Sequence, residues 1–185
     1  MQIHKKCLFI GHKKINITDT LVNRLTILIE KLIVIHNVTI FLFGSKSEFN
    51  DLCHSIVTNL KDKYPYIVRI NYTCKSEVCV LEKDMKQLEK IYSKALNKEI
   101  KLLGFEEEYE YRNKYKSGKA DYIERNYSMI DDSDYCVFYY DENYTRESKY
   151  SKNNMIIRTP QSGTKLAYNY AIRKNKKIIN VYINS

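Results

Sequence analysis

Long apolar runs are missing from this 185-residue chain. No stretch approaches the roughly 18 apolar residues that a membrane-spanning helix needs, so no membrane partner is expected. The opening residues, MQIHKKCLFIGHKK, offer only Cys7 to Ile10 as an apolar run before basic residues return. That run is far shorter than the apolar segment of a secretory signal, and the expectation is a cytoplasmic protein. Paired cysteine motifs are missing too. Five cysteines are an odd number, which argues against a disulfide framework. Cys74 and Cys79 are spaced C-x4-C without a CxxC or a histidine pair nearby, so no metal site is expected. Cys7, Cys53 and Cys136 stand in apolar runs, where a thiol behaves as a small hydrophobe, and free thiols are expected throughout.

Glycine (5) and proline (2) are scarce, while Lys, Asn, Ile and Tyr are dense. Codon bias alone produces such a composition, so the net charge of +9 is a weak sign of a polyanionic partner. The basic residues are spread along the chain and no groove-reading motif accompanies them. Nucleic-acid binding is therefore the lesser reading.

What is present is an alternation of strands and helices. A chain of this length builds one full core, and a single domain over residues 1–185 is expected. Cys7–Ile10, Val38–Phe43 and Tyr135–Tyr140 are short apolar runs of the kind that fill buried strands, and the first two end at Gly11 and Gly44. Tyr66–Tyr72 and Ile178–Ile183 read as two more strands. Helical spacing of apolar residues appears over 20–36, 49–60, 122–130 and 164–171. The second of these helices must end by Tyr64, because Pro65 cannot continue it. Strands separated by helices predict an α/β fold, a Rossmann-like doubly wound parallel sheet of about five strands with Cys7–Ile10 and Tyr135–Tyr140 adjacent in its middle. Residues 77–118 are highly charged and read as a helical insertion. Residues 141–159 read as a polar loop.

Ligands of such a sheet bind beyond the carboxyl ends of its strands. Three loops there suit a phosphate: Gly11-His12-Lys13-Lys14, Gly44-Ser45-Lys46-Ser47, and Ser162-Gly163-Thr164 at a helix start. Helix N-termini present free N–H groups, and glycine lets an oxyanion approach the backbone. Arg125, followed by Asn126, suits a phosphate or a carboxylate. Asp131, Asp132 and Asp134 suit the turn after that helix.

The segments FIGHKK, FLFGSKSEFNDL, ERNYSMIDDSDYCVFYYDE and SGTKLAYNYAIRKNKKIINVY together resemble the SLOG superfamily, and within it the YpsA-like proteins. The resemblance covers roughly residues 7–72 and 120–183. It implies a Rossmann-like fold and a nucleotide or nucleotide-derived ligand, with no cofactor required. The superfamily includes the lonely-guy phosphoribohydrolases, whose R-K-x-x-M and G-G-x-G-T-x-x-E segments correspond here to Arg125-Asn126-Tyr127-Ser128-Met129 and to Ser162-Gly163-Thr164-Lys165-Leu166-Ala167. The Gly-Thr pair is retained, but the glutamate position holds Ala167 and the paired glycines are absent. Asn50 stands where relatives often place an aspartate. The resemblance thus implies a binding module, such as a sensor, rather than an enzyme. The alternative is a hydrolase that cleaves an N-glycosidic bond with another acid: Glu124, Asp131 or Asp134. Oligomeric state is left open by the sequence.

Overall fold

The computed structural model describes residues 4–44, 46–74, 105–111, 118–144 and 162–183. Among them six strands form one sheet: β1 (Lys5–Gly11), β2 (Val38–Phe43), β3 (Val68–Cys74), β4 (Glu107–Tyr111), β5 (Tyr135–Tyr139) and β6 (Lys177–Asn180). Their order is β4-β3-β2-β1-β5-β6, and every pairing is parallel. Four helices are described: α1 (Asp19–Val34), α2 (Glu48–Leu60), α3 (Gly118–Asp132) and α4 (Gly163–Arg173).

Two-residue periodicity divides the strands between two cores. Phe9, Phe41, Phe43 and Val137 point to the face covered by α1 and α2, where they meet Leu25, Ile29, Cys53 and Val57. Their neighbours Leu8, Ile10, Leu42 and Phe138 point to the opposite face and meet Met129 of α3 and Ala167 and Ala171 of α4. Both faces are covered, which is why the central strands are apolar without alternation. The register aligns Phe9 with Val137, so β1 and β5 are neighbours inside the sheet as the sequence predicts.

Scarcity of glycine is met by asparagine. Asn37 (φ 55°) follows α1 and Asn175 (φ 52°) follows α4, both in the left-handed region. Glycine is the usual residue there, and asparagine tolerates it better than other side chains do.

The fold class is the one the sequence predicts, with one strand that the sequence reading did not place. The sheet has six strands where about five are expected, and the added one, β4, lies within the stretch read as a charged helical insertion. Its sequence, Glu-Glu-Tyr-Glu-Tyr, has no apolar run. An edge strand pairs on one side only and need not be buried, so composition does not reveal it. Tyr109 is half exposed and its ring leans on Tyr72 at 4.8 Å. Residues 77–104 and 112–117 of the expected insertion, and 145–159 of the expected loop, lie outside the described residues.

Cys7, Cys53 and Cys136 are free and buried, and Cys74 is buried. Burial pushes the Cys7 and Cys53 thiols well above their ordinary range, so they pack as inert apolar groups. Cys79 lies outside the described residues. Among those residues no helix is long and apolar enough to cross a membrane.

Candidate functional site

The chain lays β1, β2, β3 and β4 outward in one direction and then returns to add β5 on the other side of β1. The strand order therefore reverses between β1 and β5, and the crevice beyond their carboxyl ends is where this class of sheet holds ligands. Three pieces of chain meet there.

The first is His12, directly after β1. Its N–H donates to the Tyr139 carbonyl (3.3 Å). Its ring Nε2 accepts the Asp141 N–H (2.9 Å). An Nε2 that accepts carries no proton, so this bond assigns the proton to Nδ1. The residue is 2% exposed, and Nδ1 has no hydrogen-bond partner among the described residues. Burial lowers the His12 pKa below the ordinary histidine value, against the pull of the Asp141 carboxylate.

The second is the turn after β5. Asp141 Oδ1 accepts the Asn143 N–H (2.9 Å), and its carbonyl accepts the Tyr144 N–H (3.2 Å). This local turn chemistry folds the chain back and lays the Tyr144 ring on His12, centroids 3.9 Å apart and 14° from parallel. From beyond β6, Tyr182 stands close to the Asp141 carboxylate, which raises the pKa of its phenol. Asn180 ties the Tyr140 backbone at both its N–H and its carbonyl (3.0 and 2.8 Å), fixing the end of β6 to the end of β5.

The third is the start of α4. Ser162 caps it by accepting the Lys165 N–H (3.1 Å). Thr164 is buried and donates to the Gly11 carbonyl (3.0 Å), docking the first turn of α4 on the end of β1. A Cβ built on Gly163 meets no described atom within 4 Å, so packing among the described residues does not require a glycine there.

A cleft of about 400 Å³ opens beside the first two of these pieces, and no described residue of α4 lines it. His12, Tyr139, Tyr144 and Tyr182 give it rings, and Lys14, Asn16 and Asp141 give it polar groups. Of the three loops expected to hold a phosphate, only the first reaches its lining, through His12 and Lys14. The tyrosines close β5 or lie just beyond β5 and β6, and that position was the one available signal. With 17 tyrosines in the chain, residue type alone did not mark them.

The other expected site residues serve mostly other ends. Gly11 closes against α2: a Cβ there would stand 2.6 Å from Phe49. Gly44 closes against β3 and α3, 2.6 Å from the Tyr72 carbonyl and 2.9 Å from Met129 Sδ. Both glycines thus have a packing cause. Ser45 lies outside the described residues. Ser47 caps α2, and the N–H of Glu48 donates to the Lys13 carbonyl (3.0 Å), so the loop after β1 occupies that helix end. Asn50, in the same first turn, is buried, and its Oδ1 has no partner among the described residues. Arg125 is 2% exposed, with its guanidinium against Asn126 Oδ1 (3.2 Å) and near Cys74 at the end of β3. Burial lowers its pKa to about 10. Arg125, Asn126 and Gly44 stand away from the lining of the His12 cleft.

Of the candidate acids, Glu124 is half-buried on α3. Asp134 accepts the Lys6 N–H (2.9 Å) at the amino end of β1, the opposite edge of the sheet from the cleft. Asp131 accepts the Tyr170 hydroxyl (2.9 Å) and pairs with Lys174 (3.2 Å). Ala167 is 1% exposed within the core under α4. Among the described residues no group of three His, Cys, Asp or Glu side chains could hold a metal ion. The chain matches no protein-family model, and no curated protein matches it at a significant level.

Proposed function

We propose that this chain is a binding module for a nucleotide or nucleotide-derived ligand, held where the strand order reverses between β1 and β5. The observation that carries the reading is the docking of Thr164 on the Gly11 carbonyl (3.0 Å). It brings the start of α4 to the switch point, beside an aromatic cleft of about 400 Å³. A helix N-terminus supplies unpaired N–H groups and a positive dipole end to a phosphate, and the open space at Gly163 lets an oxyanion approach. The net charge of +9 favours an anionic ligand in general. The likeness to the SLOG superfamily points to the same ligand class.

Binding is favoured over catalysis by location. A carboxylate that stabilises charge on a sugar must stand beside it. Ala167, at the lonely-guy glutamate position, is a methyl group inside the core. Asp134 is engaged at the far edge of the sheet.

The test is calorimetry with ribose 5-phosphate, nucleoside mono- and diphosphates, and dinucleotides. At least one should bind at one site per chain. Gly163→Val should weaken it at least about tenfold and leave the melting temperature unchanged, since a Cβ there meets no described protein atom within 4 Å. Absence of binding by every one of them, or equal binding by the variant, would sink the reading. Mass spectrometry of small molecules released from protein purified without added nucleotide would name the ligand.

A further inference from the structure

We infer that the cleft is a base subsite: Tyr144, laid flat on His12, is a platform on which a purine stacks, and Asp141 accepts the N–H groups at the purine's edge, which selects a guanine-type base. The identity of the ring rests on the nucleotide reading.

The platform is built outward from the sheet. The His12 N–H donates to the Tyr139 carbonyl at the end of β5 (3.3 Å), and its Nε2 accepts the Asp141 N–H (2.9 Å). The imidazole is thus fixed, and it is buried. Tyr144 lies over it at 3.9 Å and 14° from parallel. The Tyr144 N–H donates to the Asp141 carbonyl (3.2 Å), and the Asn143 N–H closes the same turn on Asp141 Oδ1 (2.9 Å). One face of the tyrosine is therefore covered. Tyr144 is still partly open, and it lines the cleft. Its second face is the surface left for a ligand ring. A flat ring held in place before the ligand arrives loses little freedom on binding, and aromatic side chains are what bases stack on. Such a stack joins two π-faces and makes no demand on the in-plane nitrogens of His12.

The choice of base follows from charge. Among the described residues that line the cleft, Asp141 is the one carboxylate and Lys14 the one lysine. An ionised carboxylate only accepts hydrogen bonds. Asp141 is half-buried, and Asn143 takes one acceptor site of Oδ1. The sites that remain on its two oxygens suit a pair of adjacent donors. Guanine carries such a pair, its ring N–H and its exocyclic amino group. Adenine sets its amino group beside a ring nitrogen that itself accepts, which would turn a lone pair toward the carboxylate. Inosine keeps the ring N–H and lacks the amino group. Lys14, exposed at the same cleft, is placed for the negative charge that a nucleotide adds.

Calorimetry compares guanosine, inosine and adenosine, which carry a base without phosphate, with ribose 5-phosphate, which carries the phosphate without a base. Guanosine should bind best, about tenfold ahead of adenosine, with inosine between. Tyr144→Phe keeps the flat face and should bind guanosine within about twofold of the parent. Tyr144→Leu keeps an apolar side chain without that face and should weaken guanosine at least about tenfold. Asp141→Asn keeps an acceptor for the Asn143 N–H but loses the charge, and should level guanosine with adenosine. None of the three should move ribose 5-phosphate. In NMR of the parent protein, guanosine should shift the Tyr144 ring protons upfield, as a stacked ring does. No binding of guanosine, equal binding by Tyr144→Leu, unmoved Tyr144 ring protons, or adenosine bound as tightly as guanosine would overturn the inference. Failure of ribose 5-phosphate alone would count against the phosphate reading and not against the base subsite. Melting temperatures show whether each variant is folded, and the NMR measurement needs no variant.

Discussion

The two edges of the sheet treat polar groups in opposite ways. At the amino edge, charged groups near the strand starts are engaged. Asp134 accepts the Lys6 N–H. Lys176 donates to the carbonyls of Asp131 and Ser133 (2.8 and 2.7 Å). Arg69, 7% exposed, places two guanidinium bonds on Glu106 (2.8 and 3.1 Å), and its own N–H adds a third (2.7 Å). Lys61 joins the same carboxylate at 2.9 Å. At the carboxyl edge, His12 Nδ1 and Asn50 Oδ1 are buried with no partner among the described residues. Closed networks stabilise a fold. Buried groups left without partners cost stability. The amino edge closes its polar groups within the chain, and the carboxyl edge leaves two buried ones without partners among the described residues.

The comparison is broken if the amino edge proves unimportant to stability. The largest expected effect is at Glu106. Its removal strands Arg69, which is nearly buried, and breaking such a pair is costly even where the pair itself contributes little net. Glu106→Gln should destabilise by about 3 kcal/mol in urea unfolding, at the low end for such pairs because the Glu106 side chain is partly open to water. Ligand binding at the other edge should be unaffected.

The next effect separates two glycines of the carboxyl edge. Gly44→Ala drives a methyl group to 2.6 Å from the Tyr72 carbonyl, a backbone atom that cannot turn aside. The expected cost is about 2 kcal/mol. Gly163→Ala meets nothing among the described residues and should change stability by less than about 0.5 kcal/mol. If Gly163→Ala proves as damaging as Gly44→Ala, the open space at α4 is filled in solution and the phosphate reading loses its support. A smaller effect is expected at Asp134→Ala, which deletes one backbone hydrogen bond at an exposed position. About 1 kcal/mol of stability should be lost, with no change in nucleoside affinity.

Much of this was legible in the sequence, for reasons that also mark the boundary of legibility. The strands β1, β2 and β5 are covered on both faces, so their burial is written as unbroken apolar residues. The strand β4 has one neighbour and an open side, so Glu107 to Tyr111 gives no such signal. The start of α4 announced itself through Ser162, a side chain whose role is local. Gly11 and Gly44 were legible as special but not as to cause, since a phosphate and a neighbouring Phe49 or Tyr72 both demand an absent Cβ. The cleft was not legible. Tyr139, Asp141, Tyr144 and Tyr182 meet only because β5 and β6 pair, and no spacing in the chain encodes that meeting.

The smallest expected effect sharpens the comparison most, because acid should open the two edges in sequence. His12 is held neutral. Burial lowers its pKa, and Nε2 is occupied as the acceptor of the Asp141 N–H. The unfolded chain takes up this proton as pH falls through about 6.5, the ordinary histidine value, while the folded chain resists until lower pH. Between the two values the unfolded state binds more protons, so stability declines as pH falls across that window and levels off below the folded value. Once protonated, Nε2 no longer accepts from Asp141, and the turn that carries Tyr144 is released. Glu106 behaves differently. Burial acts to raise its pKa, but the bonds from Arg69 and Lys61 prevail and hold it at about 2. Its contribution is complete above the unfolded value near 4.5 and is lost only as pH falls toward about 2. Mild acid should therefore loosen the carboxyl edge while the amino edge stays closed. Histidine-resolved NMR from about pH 7.5 to about 4, a range that spans the ordinary histidine value, checks this, with four histidines to separate and the Asp141 amide as reporter. Amide exchange at Asp141 should quicken on protonation of His12, and exchange at Arg69 should not. If the Asp141 amide stays protected below the His12 titration, the tether is not the histidine. If Arg69 loses protection in the same range, the two edges unfold as one.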